Sequence, residues 1–306
     1  MSESLENIIS KGFHVWSRNL NICIPLIVNY LLQVVVMFIA AVVGILILFG
    51  TSSLDSIATM DDNELLQLMS ASIGGNITTF VVLVILVFVV LQLFQSYFFS
   101  GAVGMSQSAI AGGDTSIADM FNAAGSNFMN VFMANVIIVL VELAGIVFVV
   151  PGAILVRNNW ELIDSSQFTG GILLLFIGIS IWLLYLLILG LLFSVIIYVI
   201  VIEHVGALDG ITEGVRFFLD NKVSVFIMWF IVFIVSAGVV FVFYITGNLI
   251  ALTGSDSLNI AWSFGSQFIL LVTLHPLIIV LWTRLYMVKT GKDIYIDELL
   301  TEPWGK

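Results

Sequence analysis

The stretch ICIPLIVNYLLQVVVMFIAAVVGILILFG, residues 22–50, contains no charged side chain. As a helix rising about 1.5 Å per residue it is longer than the roughly 30 Å hydrocarbon core of a bilayer. Five more largely apolar stretches follow, at 78–100, 131–156, 170–202, 223–247 and 260–288. The 306 residues are 60% hydrophobic and 9% charged, with a mean hydropathy of +1.17, whereas a soluble domain carries about 25% charged residues. The reading is an all-α integral membrane bundle of six transmembrane helices, one transmembrane domain over 1–306, with both termini on the same side.

Lys and Arg decide which side, because loops rich in them stay cytoplasmic. Lys11 and Arg18 precede the first span, Arg216 and Lys222 lie between the fourth and fifth, and Arg284, Lys289, Lys292 and Lys306 close the chain; only Arg157 falls on the other face. The opposite loops carry Asp55, Asp61, Asp62, Glu64, Glu161, Asp164 and Asp256. A multi-pass protein of the cell (plasma) membrane is expected, with cytoplasmic termini and a short cytoplasmic tail at 289–306. A net charge of -11 argues against nucleic acid, so membrane lipids are the expected surroundings, and protein partners are undefined. Glu3 and Glu6 spoil a basic leader and the first apolar run is too long for one, so no cleavable signal peptide is expected. Trp16, Trp160, Trp262 and Trp282 fall near predicted interfaces, as aromatic belts do.

Three short segments precede the odd-numbered spans and superpose without gaps: Ile9, Gly12, Phe13, Trp16, Asn19; Ile117, Met120, Phe121, Ala124, Asn127; and Ile211, Gly214, Val215, Phe218, Asn221. Their mostly apolar residues recur at three- and four-residue steps, the period of one helical face. They read as three cytoplasmic interfacial helices, each introducing a transmembrane hairpin, in repeat units of about 5–110, 114–206 and 208–290. Pro151 with Gly152 and Pro276 should kink or end their helices, and the long fourth span should tilt, run on toward Glu203 or break near Gly190. Ala40 and Gly44 are spaced for close helix approach.

The run from Phe193 through Ile202, Glu203, Gly206, Ile211 and Gly214 to Asn221 resembles the membrane domain attached to some glycerophosphodiester phosphodiesterases and to similar archaeal and bacterial membrane proteins. The shared pattern is a membrane helix, an acid and a glycine, then an amphipathic cytoplasmic helix closing on a basic or Asn-containing turn. Gly101 to Asn127 looks like a second copy. The resemblance implies architecture and lends no catalytic residue, since only 18 residues follow position 288. Pro151 and Gly152 depart from the pattern, because here they end an outward-going span.

Glu142 interrupts the third span near mid-depth. An ionisable group there costs at least about 2.5 kcal/mol, so it should face protein or trapped water. Its readings are a protonated packing residue, an ion or proton carrier, or a ligand for lipid or solute. Asn135 lies two turns earlier on the same face, and His275 on the sixth span is its expected ionisable partner. Asn29 and Gln33 share a face of the first helix, as do Gln92 and Gln95 on the second. Together these residues predict a polar vestibule open to the cytoplasm and sealed outside, with helix packing as the plainer reading of the amides.

No zinc, phosphate-loop or nucleophile-elbow pattern is present, and Cys23 is the only cysteine. Glu203 and His204 are adjacent and read either as an acid-base pair or as a snorkelling boundary pair. No cofactor, metal or catalytic residue is expected. The function read from the sequence is therefore a non-enzymatic membrane protein that transports or binds a small solute, ion or lipid around Glu142. The alternative is a membrane scaffold recruiting partners through its interfacial helices.

Overall fold

The computed structural model describes residues 3–49, 61, 75, 77–158, 170–292 and 294. Asp55, Asp62, Glu64, Trp160, Glu161, Asp164 and Lys306 lie outside the described residues. Among those described, every regular element is helical: α1 Leu5–Arg18, α2 Cys23–Phe49, α3 Ile77–Gly112, α4 Ile117–Ala144, α5 Val150–Asn158, α6 Gly170–Phe193, α7 Ile196–Glu203, α8 Ala207–Asp220, α9 Lys222–Ala251, α10 Asp256–Val272 and α11 Leu274–Thr290. Six segments are long and apolar enough to cross a bilayer, at 20–47, 77–112, 117–148, 170–203, 222–251 and 256–290. The protein is an all-α, multi-pass membrane bundle.

Two amphipathic segments are separate helices. α1 starts at Ser4, whose hydroxyl accepts from the Asn7 N–H, and has Glu6 in its first turn and Arg18 in its last, as the helix dipole favours. It stops at Asn19 because Pro25 in the first turn of α2 has no N–H for the Asn21 carbonyl, so one continuous helix cannot form. α8 also ends at an asparagine, Asn221, whose φ of -121° matches the -122° of Asn19, with no proline in the turn after it. The second segment differs from expectation. It begins at a capping box, with the Asp119 carboxylate accepting from the Ser116 N–H at 2.8 Å, and continues through Asn127 as the first third of α4.

The three Asn residues share one local bond: the amides of Asn19, Asn127 and Asn221 donate to the carbonyls of Val15, Ala123 and Phe217, four residues back, at 3.0, 2.9 and 3.1 Å. The even-numbered spans also share an ending. Gly113, His204 and Gly291 take left-handed φ values of 88°, 54° and 69°, where helices terminate most easily at glycine. His204 pays the side-chain strain there, and its Nδ1 donates to the Asn127 Oδ1 at 3.2 Å.

Each amphipathic segment packs on the basic end of an even-numbered span: α1 on α11, the start of α4 on α3, and α8 on α7. Close approach needs a small residue on one side. A Cβ on Gly12 would lie 2.7 Å from the Leu281 side chain, and one on Gly214 2.7 Å from that of Ile196. In the middle contact the roles reverse, with Met120 on the amphipathic segment and Gly101 on α3. α3, α7 and α11 also pack on one another, through Phe99, Tyr198 and Trp282. Trp282 is thus a core residue stacked on Tyr198, not a belt residue.

The buried residues gather at the basic end, where Ile8, Ile22, Met105, Ile110, Ile196, Ile200, Ile279 and Leu285 are fully or almost fully enclosed. Toward the other end the spans expose Val34, Phe38, Val82, Phe176, Leu183, Phe241 and Phe264. Lipid tails solvate such side chains as well as protein does, so no hydrophobic force closes that half of the bundle.

The expected kinks are real, but they fall before the residues thought to cause them. Pro276 has no N–H for the Val272 carbonyl, and the sixth span breaks at Thr273. The third span unwinds into a 3-10 turn at Gly145–Phe148, leaving Pro151 and Gly152 in the first turn of α5. The Tyr185 hydroxyl donates to the Val141 carbonyl at 2.7 Å beside this turn. The fourth span breaks after Phe193, three residues past Gly190, and resumes at Ile196 to run on to Glu203. A Cβ on Gly44 would meet only Leu83, at an ordinary 3.7 Å; in the second hairpin Gly152 and Gly178 instead cross directly against backbone.

Candidate functional site

Two clefts lie at mid-span and share Gln95 and Phe99 of α3. The larger, about 340 Å³, runs between α2, α3 and the α10–α11 break; its polar lining is Asn29, Tyr30, Gln33, Gln95, Gln267 and His275. The smaller, about 130 Å³, lies between α3, α4 and α7, with Gln92, Gln95 and Asn135 as polar lining. Leu26, Leu271, Ile278 and Ile279 form the apolar side of the first.

Helix geometry accounts for the convergence. Asn29 and Gln33 are one turn apart on α2, about 9 and 15 Å from its start. Gln92 and Gln95 are three apart, so α3 points one amide into the second cleft and another into both. His275 arrives through the break at Thr273. Its Nδ1 donates to the Leu270 carbonyl at 3.0 Å, taking a backbone acceptor that the irregular turn leaves available. In the neutral ring this fixes the remaining lone pair on Nε2.

The polar groups are mostly unpaired. Among the described residues Asn29, Gln33, Gln92, Gln95 and Gln267 make no side-chain hydrogen bond within the chain, and the Asn29 Oδ1 is buried without a partner. Of the cleft amides only Asn135 is engaged, donating to the Ser96 hydroxyl at 3.2 Å. An amide moved from water into an apolar medium without a partner costs roughly 2–7 kcal/mol. Five such groups around two adjacent clefts are therefore a large cost unless water or a polar ligand meets them. No Asp, Glu, Lys or Arg lines either cleft.

Six of the seven residues singled out in the sequence thus border the clefts. Glu142 does not. It sits in the last turn of α4, two turns beyond Asn135 on the same stripe, where its backbone carbonyl accepts from the Trp182 indole at 3.5 Å. Nor do Glu142 and His275 pair, because α3 packs against both α4 and α11 and no hydrogen bond or ion pair joins the two side chains. The packed core occupies the basic end, while Gln95, Gln267 and His275 are exposed at mid-span. Gln267 and Tyr30 were missed. Gln267 carries the same signal as the others, an isolated amide at mid-span, and Tyr30 directly follows Asn29.

At the basic end a second polar pocket of about 340 Å³ is lined by Gln107, Ser108, Asp119, Asn122, Ser126 and His204. Glu203 turns away from it to accept from the Tyr286 hydroxyl at 3.0 Å and Lys292 at 2.6 Å, so Glu203 and His204 serve different partners. Among the described residues no three His, Cys, Asp or Glu converge as metal ligands. Compared with protein-family models, curated proteins and solved structures, the chain has no match.

Proposed function

We propose that this integral membrane protein is non-enzymatic and binds or moves a small polar molecule through the two adjacent clefts at mid-span. The observation that carries the reading is the set of five unpaired amides at Asn29, Gln33, Gln92, Gln95 and Gln267. In lipid such groups are kept dry only at a cost of several kcal/mol each, so the clefts are wet or hold a ligand. The centre of the site moves from Glu142 to Gln95. The shared Asn bonds, left-handed span ends and packing of each amphipathic segment support three repeat units. The clustering of Lys and Arg supports cytoplasmic termini in the plasma membrane. The likeness to phosphodiesterase membrane domains enters as architecture alone. The scaffold reading draws support from Phe13 and Phe121, matched positions that are both more than half exposed.

Hydroxyl-radical labelling in lipid nanodiscs tests the wet cleft, because radicals form from water. Tyr30 is expected to be oxidised several-fold more than Tyr244, which is more exposed but lies on the apolar flank of α9. Equal or lower oxidation of Tyr30 would count against a hydrated cleft.

A further inference from the structure

We infer that the larger cleft takes an uncharged, hydroxyl-bearing group, either the headgroup of a neutral lipid or a free polyol. The inference rests on the reading of the clefts as binding sites and names the class of ligand. Two acceptors have a fixed direction. The Asn29 Oδ1 is buried and unpartnered, and in the neutral ring the His275 Nε2 carries the lone pair because Nδ1 is committed to the Leu270 carbonyl. A ligand that satisfies both must donate at least two hydrogen bonds.

Charge narrows the class. Phosphate or carboxylate would find no Lys or Arg in the lining, and an ammonium would find no carboxylate. With the His275 ring neutral, either ion would lose its hydration with no counter-charge to replace it. Hydroxyls donate and accept without that penalty, and Gln33, Gln95 and Gln267 supply donors for the oxygens they leave free. About 340 Å³ falls at the small end of ligand sites, which span roughly 300–1,000 Å³. Leu26, Leu271, Ile278 and Ile279 add an apolar wall against which a glycerol backbone or acyl chain would pack.

The test uses the full chain purified in lauryldimethylamine oxide, a detergent without hydroxyls. Binding of monoglucosyl diacylglycerol, glucose and phosphatidic acid is measured by thermophoresis. The glucolipid is expected to bind at least tenfold more tightly than phosphatidic acid, and Asn29→Leu and His275→Phe, on different helices, each to weaken it about tenfold. Glucolipid binding without glucose binding assigns a lipid source; glucose binding of similar strength assigns a free polyol. Phosphatidic acid binding as tightly as the glucolipid, or glucolipid binding unchanged in both variants, overturns the inference. If the clefts prove hydrated and neither hydroxyl probe binds, the ligand class falls while the binding-site reading stands. If they prove dry, that reading falls first.

Discussion

Gly178→Leu should destabilise the second hairpin by about 3 kcal/mol, near the upper end of what overpacking costs. A Cβ at 178 would run into the Phe148 carbonyl oxygen and lie 3.1 Å from its carbon and 3.2 Å from the Val149 Cα. Gly152 makes the reciprocal contact with the backbone of Leu174 and Leu175. Backbone on both sides cannot rotate away as a side chain can, so the leucine must push α6 from the 3-10 turn and α5. Lipid provides no hydrophobic force to restore the contact. The same displacement would pull the Tyr185 hydroxyl from the Val141 carbonyl, a bond worth about 1 kcal/mol. Unfolding in mixed micelles with rising dodecyl sulfate measures the loss. Gly190→Leu is the control, because a Cβ there meets nothing within 4 Å, and should change stability by less than about 0.5 kcal/mol. Equal effects at 178 and 190 would refute the packing argument.

Glu3→Ala should release α1 from α11. Arg284 is only 3% exposed, and its guanidinium reaches both Glu3 carboxylate oxygens, at 3.1 and 3.3 Å, while Lys11 holds one of them at 2.6 Å. The Arg284 Nε has no partner at all. Removing the partner of a fully buried charge costs about 3–5 kcal/mol; Glu3 lies nearer water, so about 2 kcal/mol is expected. Burial of Ile8 opposes release by roughly 1.5–3 kcal/mol, so α1 should loosen locally, not trigger global unfolding. Acid should act likewise. Burial pushes the Glu3 carboxyl up, but Lys11 and Arg284 outweigh it and hold it below its ordinary 4.5. The folded value is therefore depressed, so this contribution is complete above about 4.5 and is lost as the pH falls through the folded value below it. Hydrogen exchange of α1 should accelerate in Glu3→Ala at neutral pH and in the wild type only on acidification. Unchanged α1 exchange in the variant would show that the ion pair does not hold the helix.

The parts of the fold that depend on local composition were readable in the sequence. Spans, loop charges and the outlines of α1 and α8 follow from apolar periodicity and from Pro25, Asn19 and Asn221. The position of a helix break was less legible. A proline acts on the carbonyl four residues earlier, so Pro276 shows up as a break at Thr273. Amide spacing told which residues share a helix face, and that was enough to place Asn29 with Gln33 and Gln92 with Gln95. Which helices then meet is a property of tertiary packing, set by contacts such as Gly12 with Leu281 and Gly101 with Met120. That is why the join between the α2 and α3 amides appears only in the structure, and why Glu142, the most conspicuous residue of the sequence, lies beyond the clefts.

The central claim is that Gln95 faces a wet cleft at mid-span. The direct measurement is reaction of Gln95→Cys, in a Cys23→Ser background, with a small water-soluble methanethiosulfonate in proteoliposomes, with Phe241→Cys on the apolar flank of α9 as the reference. Labelling requires ionisation of the thiol, and hence water. The clefts described above predict rapid modification at position 95 and little at 241. No modification at 95 before denaturation, with full modification after it, would contradict the account.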